Sequence, residues 1–149
     1  MPQASIKKKI FCSKENLIKM VLDIEKYPEF VPWCLNGKVH KKINKGNIVE
    51  ITADLTIGKR FFNKTYKSFI IYDKSTDSIV VTNIEGPLKY LKNKWFFKQS
   101  ADHSEIDFHV DFELKSKTLD VLMTKSFNIG LKKIAEAFEK RAGDLFERI

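Results

Sequence analysis

The chain has 149 residues, 43% of them hydrophobic, and a formal charge of +8 from 27 Lys and Arg against 19 Asp and Glu. That length suits one domain, residues 1–149, burying roughly two thirds of its unfolded surface, and the charge favours anionic partners, although basic residues spread along the chain also suit a solvated surface. Two cysteines without a CxxC pair and three scattered histidines (His40, His103, His109) argue against a disulfide or zinc framework, and no apolar run approaches the ~18 residues of a membrane-spanning helix.

The first residues, with Lys7, Lys8 and Lys9, have no apolar leader segment. A soluble, cytoplasmic protein is expected, with peripheral attachment to the inner face of the cytoplasmic membrane left open. Ser5 to Cys12 reads as a strand whose lysines suit a sheet edge. Ser13 is a good helix N-cap, Glu15 complements the helix dipole, and Leu17, Ile18, Val21 and Leu22 form one face, so a helix should run to Asp23 or Ile24. Pro28 and Pro32 then bound a short helical turn with a sharp exit, because proline opens a helix but disfavours helical geometry in the residue before it. This turn carries Tyr27, Phe30 and Trp33, read either as a hydrophobic plug or as the gate of a cavity.

Asn36-Gly37 is a turn signal, Lys38 to Ile43 a short basic strand, and Lys45-Gly46-Asn47 a hairpin connection. Ile48 to Ile57 alternates cleanly, with Val49, Ile51, Ala53, Leu55 and Ile57 on one face. Strands should follow at Phe61 to Tyr72 and Ser78 to Ile84. Gly86-Pro87 breaks the pattern before a basic segment, Leu88 to Lys94, and Trp95-Phe96-Phe97 begins or continues a strand. Glu105 to Leu114 alternates strictly: Ile106, Phe108, Val110 and Phe112 against Asp107, His109, Asp111 and Glu113. The acid and histidine row is expected to be a solvent face rather than a metal or catalytic site, since no second ligand block exists elsewhere. Thr118 to Ile149 is one long amphipathic helix with Leu119, Met123, Phe127, Leu131, Ile134, Phe138, Ala142, Leu145 and Ile149 along a stripe. Gly130 and Gly143 interrupt it, each less favourable than alanine by up to about 1 kcal/mol. Hairpin-length links force antiparallel neighbours. The expected class is therefore α+β: a curved antiparallel sheet of about six to seven strands wrapped around the C-terminal helix.

Two blocks of residues carry a resemblance. Val21-Leu22-Asp23 with Tyr27-Pro28, Phe30 and Pro32-Trp33-Cys34, and then Gly86-Pro87-Leu88 with Leu91, Asn93 and Trp95, resemble the coenzyme Q-binding START-domain family. That family includes bacterial proteins called ribosome association toxins and falls within the polyketide cyclase-like, START-related helix-grip proteins. The closing Ala137-Phe138 to Arg141-Ala142 also resembles its ending. Leu88 stands where an aromatic is more usual. The resemblance implies a helix-grip fold and two functions: ubiquinone binding in support of respiration, or binding to the large ribosomal subunit that blocks subunit association and translation.

No nucleophile elbow, phosphate loop or HExxH occurs, and Cys34 beside Trp33 reads as packing, so no enzyme activity, catalytic residue, metal or catalytic cofactor is expected. An apolar concave sheet under a helix suits an apolar ligand. The lining candidates are Phe30, Trp33, Leu55, Trp95, Phe97, Phe127, Leu131 and Ile134. Lys89, Lys92 and Lys94 are candidates for meeting an anionic bilayer or ribosomal RNA.

Overall fold

The computed structural model describes residues 3–59, 62–85, 88–115 and 117–146, with side chains at all of these except 3, 4, 59, 62, 85, 88, 89, 112, 114 and 118–129. The elements run β1 (Gln3–Ile10), α1 (Lys14–Leu22), a 3-10 helix (Ile24–Glu29), β2 (Cys34–Lys45), β3 (Ile48–Lys59), β4 (Phe62–Asp73), β5 (Ser78–Glu85), β6 (Leu88–Gln99), β7 (Ser104–Leu114) and α2 (Lys117–Leu145). The strands form one antiparallel sheet in the order β1-β7-β6-β5-β4-β3-β2. Strands β2 to β7 are a meander of neighbours, while β1 reaches across the chain to β7 and so occupies an edge, where its lysines were expected. α1 and the 3-10 helix return the chain from that edge to the opposite one, at β2.

Period-two alternation fixes which face is buried. One apolar row runs by register from β3 to β1: Val49, Tyr72, Ile79, Trp95, Phe108 and Ile6. With Ile51, Ile70, Phe97 and Ile106 these residues make the concave floor of the core. α1 closes on it through Leu17, Ile18, Met20 and Val21, and its first turn is capped by the Ser13 hydroxyl, which accepts from the Asn16 N–H at 3.2 Å. α2 lies nearest to β1, β7 and α1 and buries Leu131, Phe138 and Ala142; the 3-10 helix sits on β2. The sheet grips the helix as the START-like class requires.

Two boundaries differ from expectation, those of β2 and of α2. Asn36-Gly37 is not a turn: β2 runs unbroken from Cys34 to Lys45, and Gly37 pairs with Leu55. Register shifts between Cys34 and Asn36 and between Val39 and Lys41 scramble the inside-outside order, so the periodic signal of this strand is lost. Leu88–Gln99 is a single strand whose Lys92, Lys94 and Lys98 point outward and whose Leu91, Asn93, Trp95 and Phe97 point inward. α2 ends at Leu145, and 147–149 and the Gly86-Pro87 turn lie outside the described residues.

An ion pair ties the 3-10 helix to α2. Arg141 Nη2 donates to Glu29 Oε1 at 3.0 Å, and the guanidinium lies 5.0 Å from the Phe30 ring centre. The hydrogen bond from Arg141, with Lys26 also in reach, holds the Glu29 carboxyl below its usual range. A depressed folded value stabilises above the unfolded value of about 4.3 and is lost as pH falls through the folded one. Urea unfolding followed from about pH 6 to 3 should show stability falling below about pH 4, with a shallower fall in Glu29→Gln.

Candidate functional site

The space between the concave sheet and α2 has two ends of different character. At the closed end, rings from distant parts of the chain meet. Phe138 of α2 packs edge-on against Tyr27, Phe30 and Trp95, with centroids at 5.6, 5.1 and 5.3 Å. Trp95 in turn contacts Phe108 at 4.3 Å and stacks in parallel with Phe97 at 6.3 Å. Such ring pairs add about 0.5–1.5 kcal/mol each beyond their area burial. Beside them a dry space of about 20 Å³ remains, lined by Ile6, Ile10, Ile106, Phe108, Ile134 and Phe138 among others.

At the other end Trp33 is held in an unusual backbone state. Its φ is +63°, left-handed for a bulky residue, and a hydrogen bond from the Gly58 N–H to its carbonyl at 2.8 Å fixes it there. Such a state is strained by on the order of 1–3 kcal/mol and is kept only where the surroundings demand it. The indole is 40% exposed, and its six-membered ring lies 3.7 Å from the position a Cβ would take on Gly130 of α2. That is ordinary van der Waals contact. Close approach therefore does not require glycine at this point of the helix, where glycine is unfavourable.

Polar groups are sparse on the concave face, and burial perturbs them. Ser68 is 1% exposed, and its hydroxyl reaches the Ala53 carbonyl at 3.4 Å. The Tyr66 phenol, opposite Leu55, is pushed well above the usual range by desolvation, with Cys34 nearby, and stays protonated. The Tyr27 hydroxyl donates to the Val21 carbonyl. Asn93, flanked in register by Val81 and Val110, has a buried Oδ1 that accepts no hydrogen bond. A desolvated amide oxygen left unpaired is destabilising by about 1–3 kcal/mol. The Cys34 thiol is raised by burial, which disfavours the nucleophilic thiolate.

The convex face is a different surface. Tyr90, Lys92, Lys94 and Phe96 of β6, with His109 and Asp111 of β7 and Ser5, line an open groove of about 590 Å³. Lys92 stands opposite Asp111, Lys94 opposite His109 and Lys7 opposite Asp107, so the acids and histidine of β7 are bracketed by basic strands on both sides. His109 Nε2 lies 3.0 Å from Asp107 Oδ1. Among the described residues no cluster of three or more ligating side chains could hold a metal.

The model of the family described as polyketide cyclase / dehydrase and lipid transport matches residues 15–139. The chain belongs to that family. It is 31% identical over 136 residues to a ribosome association toxin of Rickettsia prowazekii, covering 89% of this chain and 90% of that one. A mitochondrial coenzyme Q-binding protein of Dictyostelium discoideum is 30% identical over 130 residues, covering 85% of this chain and 62% of that protein. A START superfamily protein of Mycobacterium smegmatis superposes with a TM-score of 0.80 at 18% identity, over 96% of this chain and 98% of that one, which speaks to the fold alone. No helix among the described residues is long and apolar enough to cross a membrane.

Of the expected lining residues in this family member, Phe30, Trp95 and Phe97 belong to the closed ring cluster and its border, and Ile134 joins them from α2. Leu131 is buried in the same core, Leu55 lies on the concave face opposite Tyr66, and Trp33 stands at the open end. The side chains of Phe127 and Lys89 lie outside the described residues. Lys92 and Lys94 face outward, away from the grip. Asn93 and Tyr66 were not anticipated as site residues. Asn93 had a signal, a polar residue at an inward position of the series Leu91, Asn93, Trp95, Phe97. Tyr66 lay in a strand whose faces the consecutive Phe69, Ile70 and Ile71 obscure.

Proposed function

We propose that the chain holds an isoprenoid quinone, ubiquinone or a close relative, between the concave sheet and α2, and carries it without chemical change in support of respiratory electron transport. The observation that carries this reading is Asn93: a buried amide with an unpaired oxygen on an otherwise apolar wall suits a ligand with a polar head and a hydrocarbon tail. Its Oδ1 would accept from a quinol hydroxyl and its Nδ2 would donate to a quinone carbonyl, so one side chain serves both redox states. The protonated Tyr66 is a second donor. Leu55, Leu131 and Ile134 would line the tail, with Phe30, Trp95 and Phe97 as the closed end. A space of about 20 Å³ is smaller than a quinone ring, so entry requires α2 and the sheet to part. At Trp33 and Gly130 only a side chain and a glycine have to separate. The lipid transport named for the family and the coenzyme Q-binding relative support the same reading.

Asn93→Leu tests it with opposite signs. Removing an unsatisfied buried group should stabilise the empty protein by about 1 kcal/mol, while quinone recovered by mass spectrometry of an organic extract should fall roughly tenfold. Equal quinone in both proteins, or none in either, would overturn the assignment. A second reading, binding to the ribosome, is favoured by the Rickettsia relative's name and by the convex groove, where Lys92 and Lys94 would meet phosphates and Phe96 and Tyr90 would stack on bases. The facing acids offset those lysines and weaken it. An empty extract together with salt-sensitive sedimentation with ribosomal particles would favour this reading over the first.

A further inference from the structure

The apolar residues left in water are not spread evenly. Register places the start of β2, the end of β3, the start of β4, the end of β5, the start of β6 and the end of β7 at one end of the sheet, where α2 also begins. Among the described residues, five of the nine large hydrophobics that are substantially exposed lie at that end: Trp33, Leu35, Ile57, Ile84 and Tyr90. The bulge that displaces Leu35 and the left-handed Trp33 turn both side chains outward, and Cys34 pairs with Ile57, so three of the five are adjacent. A soluble surface does not gather such residues without a partner. Cations share the rim. Exposed Lys64 is opposite Ile57, and exposed Lys115 and Lys117 stand where β7 passes into α2, against Glu113 as the acid described there.

We infer that this end of the grip docks on a lipid bilayer carrying anionic headgroups. Apolar side chains would enter the headgroup boundary, an indole would lie at the depth where Trp is enriched, and lysines would meet the negative surface. A protein or nucleic acid partner fits less well. Trp33, Leu35 and Ile57 border the mouth beside Gly130, which is where a lipid would leave the protein directly into a bilayer. The inference rests on the lipid-binding reading and moves the membrane contact from Lys92 and Lys94 on the convex face to the rim.

The test is flotation of the full chain with vesicles of phosphatidylcholine, with and without phosphatidylglycerol. Wild type should float with the anionic vesicles at least tenfold more than with neutral ones. Leu35→Asp with Ile57→Asp should lose at least tenfold, whereas Ile71→Asp, a comparably exposed position near the far end of β4, should float as wild type does. Lys64→Glu with Lys115→Glu should abolish the preference for the anionic lipid, and this variant carries the test if the aspartate pair does not fold. Wild type that stays unbound, or an Ile71→Asp loss equal to that of the rim pair, would overturn the docking face. Quinone extracted from the same samples separates the two readings. A floating wild type without quinone would sink the ligand and keep the docking face, and quinone in a protein that never floats would do the reverse.

Discussion

Phe138→Ala should lower the unfolding free energy by about 3–5 kcal/mol and the melting temperature by roughly 10 °C or more. The residue is 3% exposed and is, among the described side chains of α2, the one ring that contacts the 3-10 helix and the sheet together, through Tyr27, Phe30 and Trp95. Alanine removes the transfer energy of the ring and leaves a void, and the void would merge with the existing dry space of about 20 Å³ that Phe138 lines. Partial collapse from α2 would reduce the loss and put it at the low end of the range. A measured change under about 1.5 kcal/mol would show that α2 repacks freely, and the ring cluster would then not be a fixed closed end. An apolar void of this kind stays dry and takes small apolar guests, so benzene should raise the melting temperature of the variant and leave wild type unchanged.

Chemical and thermal unfolding read the closed end; how far that end could be foreseen depends on distance along the chain. Within a strand, alternation carries the answer. Val49, Ile51, Ala53 and Leu55 on β3, and Ile106, Phe108 and Val110 on β7, face inward as their spacing requires, and the acids and His109 of β7 face out. The stripe of α2 places Leu131, Phe138 and Ala142 inside for the same reason. Local reading fails where geometry departs from a regular repeat. The two bulges of β2 hide a twelve-residue strand behind an apparent turn, and nothing in Pro32-Trp33-Cys34 specifies a left-handed Trp33, which depends on a hydrogen bond from Gly58 in a different strand. Roles set by contact are further out of reach. Phe30 and Trp95 were placed by their inward or gate positions, but their packing on each other's neighbour Phe138 joins residues more than forty positions apart, and the open end of the site depends on where those three rings stop. The unpaired Asn93 oxygen is visible only once every neighbour that fails to bond it is known.

The second large effect should come from a residue whose side chain is a single hydrogen. Gly37→Ala should destabilise by about 2–3 kcal/mol, because a Cβ there would stand 2.4 Å from the Ile24 carbonyl oxygen and 3.3 Å from Ile24 Cγ2. The nearest atom belongs to backbone and cannot rotate away. Either the 3-10 helix lifts from β2 or the strand bends, and both responses act on the site, since the 3-10 helix carries Tyr27 and leads through Phe30 to Trp33. The indole should shift from Gly130, and its emission should change while that of buried Trp95 does not; Trp95→Phe provides a background in which Trp33 is read alone. Gly143→Ala is the counterpart. Nothing lies within 4 Å of its missing Cβ, and in an exposed helical position alanine should stabilise by about 0.5–1 kcal/mol. If the two glycine substitutions moved stability by the same small amount, Gly37 would not be the contact that sets the 3-10 helix on β2. If Gly37→Ala alone unfolds the chain readily and loosens Trp33, the seat of the gate lies in β2, one strand away from any residue that could touch a ligand.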